Sequence, residues 1–311
     1  MYSVFCNVLP IVLIALIGSF IRKKWLVSDE FWRGLEKLSF YLLFPAVLFS
    51  SVYKLELASS EFFRLVFALV ISHLVVAALA IYYQTRENYD KAQFTSLFQG
   101  ATRYNNYILF ALSSALFGDV GLSVVAASIS PYMIVLTNVT SIMCFVHYIP
   151  QNSRGASKKR SIVLMFKSII ANPFVIASLV GFVFNYLQID LNAGIEKTID
   201  SLADSALTIG ILIVGASLKF KIKPENMKII ISASFIKLII TPIITFLILW
   251  IMAITGIAKS VGILFSCLPC ASSAYILSRQ LGGDPETMSS IITFTTIFSV
   301  LSLSILVYIL G

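Results

Sequence analysis

Long apolar runs alternate with short polar connections along the whole chain. A helix needs about 20 such residues to cross the hydrocarbon core of a membrane. Ten runs of suitable length fit the sequence, and we predict a membrane-spanning helix in each. The predicted spans are residues 2–21, 34–53, 62–84, 94–117, 121–148, 168–187, 198–218, 229–252, 260–280 and 287–310. The pattern therefore predicts an all-α integral membrane protein with no separate soluble domain.

The composition agrees with this pattern. The chain is 58% hydrophobic and 12% charged, whereas about a quarter of the residues in a soluble domain are charged. The first apolar run has no basic start and no small-x-small cleavage site, and Arg22, Lys23 and Lys24 follow it. We therefore expect a retained span and not a signal peptide.

Most lysines and arginines outside the spans lie in the connections that follow odd-numbered spans. By the positive-inside rule these connections are cytoplasmic, which predicts a multi-pass protein of the plasma (bacterial inner) membrane with both termini extracytoplasmic. The net charge of +8 is thus a consequence of topology, and we expect no nucleic-acid partner.

The most polar stretch, "PQNSRGASKKRS" at 150–161, divides the ten spans into two groups of five. We predict one repeat over 1–149, a basic cytoplasmic linker over 150–167 and a second repeat over 168–311. "GLEKLS" from Gly34 matches "GIEKTI" from Gly194, although chance similarity between apolar sequences is the alternative. With an odd number of spans each, the repeats are inverted, which is typical of secondary transporters.

Two spans at corresponding positions are interrupted. The fourth contains "TRYNNY" from Thr102, and the ninth contains "CLPCASSAY" from Cys267. Pro269 lacks a backbone donor and clashes with the preceding turn, so it ends or kinks a helix. Polar groups without partners are costly in lipid. We therefore predict that both helices are broken and line a cavity near mid-membrane.

Five segments taken in order resemble the auxin efflux carrier family, whose bacterial members resemble malate and malonate permeases. They are "FPAVLFSSV" (44–52), "GATRYNNYILFALSSALFGDVGL" (100–122), "ANPFVIASLVGFVFN" (171–185), "LTIGILIVGASL" (207–218) and "LPCASSAYILSRQLGGD" (268–284).

The resemblance implies a fold like that of bile-acid symporters and sodium/proton antiporters, in which broken spans 4 and 9 cross. Spans 1, 2, 6 and 7 would form a scaffold that also makes a homodimer, and spans 3–5 and 8–10 would form the moving transport domain. The resemblance places the family's asparagine at Asn105 and its proline at Pro269. "ILFALSS" has no second proline, so the fourth-span break must depend on local polar chemistry.

The expected site combines helix N-termini, which suit a carboxylate, with side-chain donors. Asn105 and Asn106 are either ligands or structural amides. Arg103 either pairs with a substrate carboxylate, or reaches the membrane surface or binds a neighbouring carbonyl. Serines inside a span are also ordinary packing residues. The candidate substrate-binding residues are Arg103, Asn105, Asn106, Pro269, Cys270, Ser272, Ser273 and Tyr275.

Other ionisable residues have weaker assignments. Asp204 is a candidate for ion coupling or for structural support, because an acid inside a membrane is a functional candidate. Lys237 is expected to extend to the inner membrane surface. Cys267 and Cys270 have CxxC spacing, but we interpret them as buried thiols. We expect no metal site and no cofactor, while coupling to sodium ions or protons stays open.

These features predict a secondary transporter, a permease that moves a small organic carboxylate by alternating access. A receptor, sensor or channel for such an anion is the alternative. An intramembrane aspartyl protease would need a G-x-G-D motif, and "LGGD" at 281–284 lacks its first glycine, so we expect no enzyme. The sequence does not define the carboxylate, the direction of transport or the coupling ion.

Overall fold

The structure is a computed structural model, which describes residues 2–55, 60–149, 163, 166, 170–218 and 223–310. Within these ranges the side chains of 2–8, 60, 61, 128 and 304–310 are not described. The described residues form helices and connections without a strand. The predicted linker 150–167 lies almost entirely outside the described residues.

The described α-helices are numbered in chain order. They are α1 (Tyr2–Lys24), α2 (Asp29–Leu38), α3 (Phe44–Tyr53), α4 (Ser60–Glu87), α5 (Lys91–Thr102), α6 (Asn106–Val124), α7 (Ser130–Tyr148), α8 (Pro173–Tyr186), α9 (Ala193–Ser217), α10 (Met227–Phe235), α11 (Thr241–Ile251), α12 (Gly256–Cys267), α13 (Ala274–Leu281) and α14 (Pro285–Leu310).

Seven helical segments of the described chain are long and apolar enough to cross a membrane. They are Asp29–Tyr53, Phe62–Glu87, Lys91–Ala127, Ser130–Tyr148, Ala193–Ser217, Pro224–Ile251 and Pro285–Leu303. Two shorter apolar helices are Pro173–Tyr186 and Gly256–Cys267. The integral membrane fold is thereby supported, and the count of ten spans stays a prediction.

Three π-helical turns join helices into longer segments. They are Ser39–Leu43, Val125–Ile129 and Ile236–Ile240. Each precedes a proline in the first turn of the next α-helix, namely Pro45, Pro131 and Pro242. A proline cannot donate to the carbonyl four residues earlier, and its ring clashes with that carbonyl. The wider turn accommodates the proline and lets the helix continue.

One group of helices packs around α9. α1 and α3 lie against α9, and α8 lies against α3. A Cβ atom at Gly215 would overlap the backbone oxygen of Ala15, so the crossing of α1 and α9 requires glycine there. α9 runs antiparallel to α2 and α3, because Asp200 accepts a hydrogen bond from Ser50 (2.7 Å) while Gly210 lies against Phe44.

A second group surrounds α5, which packs against α4, α7, α10 and α14. Its core contains Phe94, Phe98 and Ile291. Lys237 belongs to this group and is only 2% exposed. The expectation that Lys237 extends to the membrane surface is therefore wrong. The sequence position of Lys237 indicated how deep it lies in the membrane, but it did not show that Lys237 is on the face of the helix that points into the protein.

The fourth predicted span differs in detail from the helices found. α6 continues to Val124, beyond the predicted end at Phe117, and Gly118 lies within it at φ 60°. This left-handed residue bends the chain where the sequence suggested a connection, and glycine adopts the conformation without strain. Leu112, in the first half of α6, is 1% exposed and belongs to the core around α9.

Candidate functional site

The two interrupted segments meet inside the protein. α5 ends at Thr102 and α6 begins at Asn106, while α12 ends at Cys267 and α13 begins at Ala274. The backbone N–H of Asn105 donates to the carbonyl oxygen of Pro269 over 3.0 Å. The breaks therefore lie where the sequence predicted them, and a direct backbone hydrogen bond joins them.

The break between α5 and α6 depends on an asparagine cap. Arg103 is extended (φ −85°, ψ 155°), and Asn105 has the extended conformation of an N-cap residue. The Asn105 side-chain oxygen accepts the backbone N–H of Ile108 over 3.2 Å. An N-cap of this kind satisfies one of the donors that a helix start leaves free. This agrees with the expectation that polar chemistry makes the break without proline.

The other break follows from Pro269. The residue before a proline is pushed out of the helical conformation. Leu268 accordingly has φ −67° and ψ 148°, and α12 ends one residue earlier. Two turns then lead into α13, closed by hydrogen bonds from the Ala274 N–H to the Ala271 carbonyl (3.1 Å) and from the Tyr275 N–H to the Ser272 carbonyl (3.3 Å). The chain therefore crosses this region without helical hydrogen bonds over several residues.

A cavity of about 450 Å³ opens beside the two breaks. It contains the amides of one break, the serines of the other and the polar face of α2. Its lining residues are Arg33, Glu36, Lys37, Phe40, Tyr41, Asn105, Asn106, Tyr107, Phe174, Ala271, Ser272, Ser273, Ile276 and Gln280. Four of the predicted site residues thus share one cavity: Asn105, Asn106, Ser272 and Ser273.

Two amide groups at this cavity lack a hydrogen-bond partner among the described residues. They are Nδ2 of Asn105 and Oδ1 of Asn106. Asn105 is only 2% exposed. Because its Oδ1 must accept from the Ile108 N–H, the group left without a partner is a donor. A buried donor without a partner is costly, so this position is suited to an acceptor from a solute or from water.

Arg103 is buried and braces the break. Its guanidinium donates to Oδ1 of Asn138 on α7 (2.8 Å) and to Oγ of Ser273 (3.0 Å). Arg103 does not line the cavity. Its contacts place it behind the site, where it links α7 to the connection before α13.

The remaining predicted residues lie around the cavity. Cys270 is fully buried, with its N–H 3.3 Å from Oγ1 of Thr295, and Pro269 contributes the carbonyl that Asn105 uses. Tyr275 packs against the second core. Asp204 is exposed on α9 and is not a lining residue. Within the described part of the chain, no three His, Cys, Asp or Glu residues are grouped as metal ligands would be.

Sequence reasoning missed the charged wall of the cavity. Arg33 and Lys37 were interpreted only as charges that set the topology, and Glu36 was given no role, yet all three line the site. A local signal was available, because positions i, i+3 and i+4 share one face of a helix. What the sequence could not show is that this face turns toward the two breaks.

A larger cavity of about 690 Å³ lies elsewhere. Its walls are almost entirely apolar and come mainly from α10, α11, α12 and α14, with Phe235, Phe246 and Phe298 among them. These three side chains are also exposed, as expected for a surface in contact with lipid acyl chains. The smaller cavity is therefore the candidate site, because it contains polar groups that converge.

Comparison with known proteins identifies the family of the chain. The model of the membrane transport protein family matches residues 3–307, nearly the whole chain. The chain belongs to this family. It is the auxin efflux carrier family that the five sequence segments indicated, and that prediction is confirmed. As a membrane transport protein, the chain is not expected to catalyse a covalent reaction, and the prediction of no enzyme is confirmed.

Relatives of this transporter are distant but mostly of full length. It is 23% identical over 300 residues to an "Uncharacterized transporter" of Methanothermobacter thermautotrophicus, covering 96% of this chain and 95% of the relative. It is 21% identical over 311 residues to the "Uncharacterized transporter YfdV" of Escherichia coli, covering 97% and 96%. A "Putative malonate transporter" of Rhizobium meliloti is 26% identical over 163 residues, half of each chain.

Proposed function

We propose that this protein is a permease that moves a small organic carboxylate across the membrane by alternating access. The observation that carries the proposal is the buried amide donor of Asn105, which has no partner among the described residues and lines a cavity between two broken helices. Substrate sites of secondary transporters lie at such breaks.

The chemistry of the cavity favours an anion. The first turn of α6 presents backbone N–H groups and the positive end of a helix dipole at Asn106. The Nδ2 group of Asn105 adds a donor, and the hydroxyl groups of Ser272 and Ser273 can donate as well. Arg33 and Lys37 attract negative charge to the same cavity. A carboxylate, which accepts several hydrogen bonds, fits this set of donors.

The packing supports a division into a scaffold and a moving part. The group around α9 contains the first, second, sixth and seventh predicted spans. The group around α5 contains the first half of the fourth span together with the third, fifth, eighth and tenth, whereas α6 and α12, the other halves beside the breaks, pack in the core of the first group. In this proposal the ten spans form two inverted repeats, and the second group moves against the first. The predicted topology then opens the cavity toward the cytoplasm, since Arg33 and Lys37 lie at the predicted cytoplasmic end of the second span.

Two further features belong to the same proposal. The homodimer would form through exposed apolar residues of the scaffold, such as Leu16 on α1 and Leu179 on α8. The solute would be a small mono- or dicarboxylate, for which the name of the Rhizobium relative suggests malonate as the first probe.

Counterflow in proteoliposomes tests transport directly. Vesicles loaded with unlabelled malonate, malate, succinate or acetate should accumulate the same labelled anion from outside, and the initial rate should saturate with its concentration. Asn105→Ala should slow this exchange. Asn185→Ala removes hydrogen bonds from a side-chain amide to the carbonyls of Tyr53 and Leu55, and it should not change how the exchange rate depends on substrate concentration. Saturable binding without exchange would indicate a receptor, and flux without saturation would indicate a channel.

A further inference from the structure

We propose that Glu36 is a proton-binding site in the substrate cavity, so that a proton is taken up together with the carboxylate anion. This inference rests on the proposed function. It assigns a coupling ion and a residue to bind it.

The position of Glu36 is the first support. Its half-buried side chain lines the same cavity as Asn105 and Ser273, and it is the one carboxylic acid among the described lining residues. The carboxyl group of Glu36 makes no ion pair and no hydrogen bond with the described residues. By contrast, Asp200 on α9 is held by Lys54 (2.7 Å) and Ser50 (2.7 Å). Glu36 is therefore an acid free to exchange its proton at the place where an anion would enter.

The groups around Glu36 do not offer another exchangeable proton near neutral pH. The other titratable lining residues are Arg33 and Lys37 on the same helix, Tyr41 on the π-helical turn and Tyr107 on α6. α13 adds the neutral Gln280. Arginine, lysine and tyrosine side chains ordinarily titrate well above neutral pH. Among the described lining residues there is no histidine.

The part of α9 that packs against α2 also carries no titratable side chain. α9 runs antiparallel to α2 and α3, with Asp200 beside Ser50 and Gly210 beside Phe44. α2 therefore lies against the C-terminal part of α9. Residues 205–217 of α9 contain no ionisable side chain. The acids of α9 are at its other end, so they do not face Glu36.

Electrostatics link the two ligands. An anion beside an ionised Glu36 is repelled, and a proton on Glu36 removes this repulsion. Linkage is reciprocal, so the anion favours proton uptake and the proton strengthens anion binding. The affinity should therefore be higher at low pH and fall as the pH rises through the range in which Glu36 ionises. For one linked proton the limit is about tenfold per pH unit.

Calorimetry of malonate binding to the full-length protein in detergent tests this directly. Titrations in buffers of different ionisation enthalpy, at a pH above the second ionisation of malonate, count the protons taken up. The wild-type protein should take up protons and lose affinity with rising pH. Glu36→Gln should bind malonate with no proton uptake and with a flat pH profile, and Glu36→Asp should restore both. Glu30→Gln, an exposed position of α2 outside the cavity, should behave as wild type.

Three results would overturn the inference. Malonate binding to the wild type without proton uptake would refute the role of Glu36 and leave the permease proposal intact. Loss of proton uptake in Asp204→Asn, with proton uptake kept in Glu36→Gln, would show that the proton binds at Asp204 on α9 and not at Glu36. Failure of the wild type to bind malonate or any other carboxylate of the panel would contradict both proposals together.

Discussion

At the scale of single residues, the site separates groups that face the cavity from groups that hold it. Arg103 was a candidate for direct substrate contact, but its two terminal nitrogens donate to Asn138 and Ser273, while its buried Nε has no partner among the described residues. A hydrogen bond to a charged group contributes about 1.5–3 kcal/mol. Asn138→Ala removes one such acceptor, so it should lower the melting temperature in detergent and leave the carboxylate affinity of the folded protein unchanged.

The control for this prediction is Val139→Ala, the next residue of α7, which is also half-buried but lacks the bond to Arg103. Ligand titrations of both variants separate stability from binding. A fall in affinity for Asn138→Ala at unchanged melting temperature would show that Arg103 acts on the substrate, contrary to its placement behind the site.

At the scale of elements, the crossing of α1 and α9 should tolerate no side chain at Gly215. A Cβ atom there overlaps the backbone of Ala15, and overpacking of this kind typically costs about 1–3 kcal/mol. Gly34, inside α2, has no atom within 4 Å of the corresponding position. Gly34→Ala should therefore be neutral or stabilising by up to about 1 kcal/mol. Equal melting temperatures for the two alanine variants would contradict the close crossing.

The helix breaks show how far local sequence signals reach. Pro269 ends a helix through its own ring, and Asn105 caps one through its own side chain, so both breaks could be located from the sequence. Their contact depends on packing between segments more than 150 residues apart, and the resemblance to a family supplied that expectation. The burial of Lys237 was missed, because hydropathy measures depth in the membrane and does not tell which face of a helix meets protein.

At the scale of the whole molecule, the account predicts the orientation in the membrane. A cysteine at Lys158, in the basic linker, should react with an impermeant maleimide only from the cytoplasmic side. A cysteine at Asp190, exposed between α8 and α9, should react only from outside. Cys144, Cys267 and Cys270 are buried and should stay unlabelled, and Cys6 is replaced by serine in both variants. Labelling of both sites from one side would refute the predicted inversion of the two halves.

The most direct test of the central claim is the malonate affinity of Asn105 variants, measured by calorimetry. Asn105→Ala removes the free donor and should weaken binding by about tenfold to a hundredfold. Asn105→Asp keeps a side-chain oxygen to cap Ile108 but replaces the donor by a negative charge, so it should fold and lose binding. Asn172→Ala, which removes a buried N-cap asparagine outside the cavity, should lose stability and keep its affinity. Wild-type affinity in Asn105→Ala and Asn105→Asp would place the carboxylate site elsewhere in the protein.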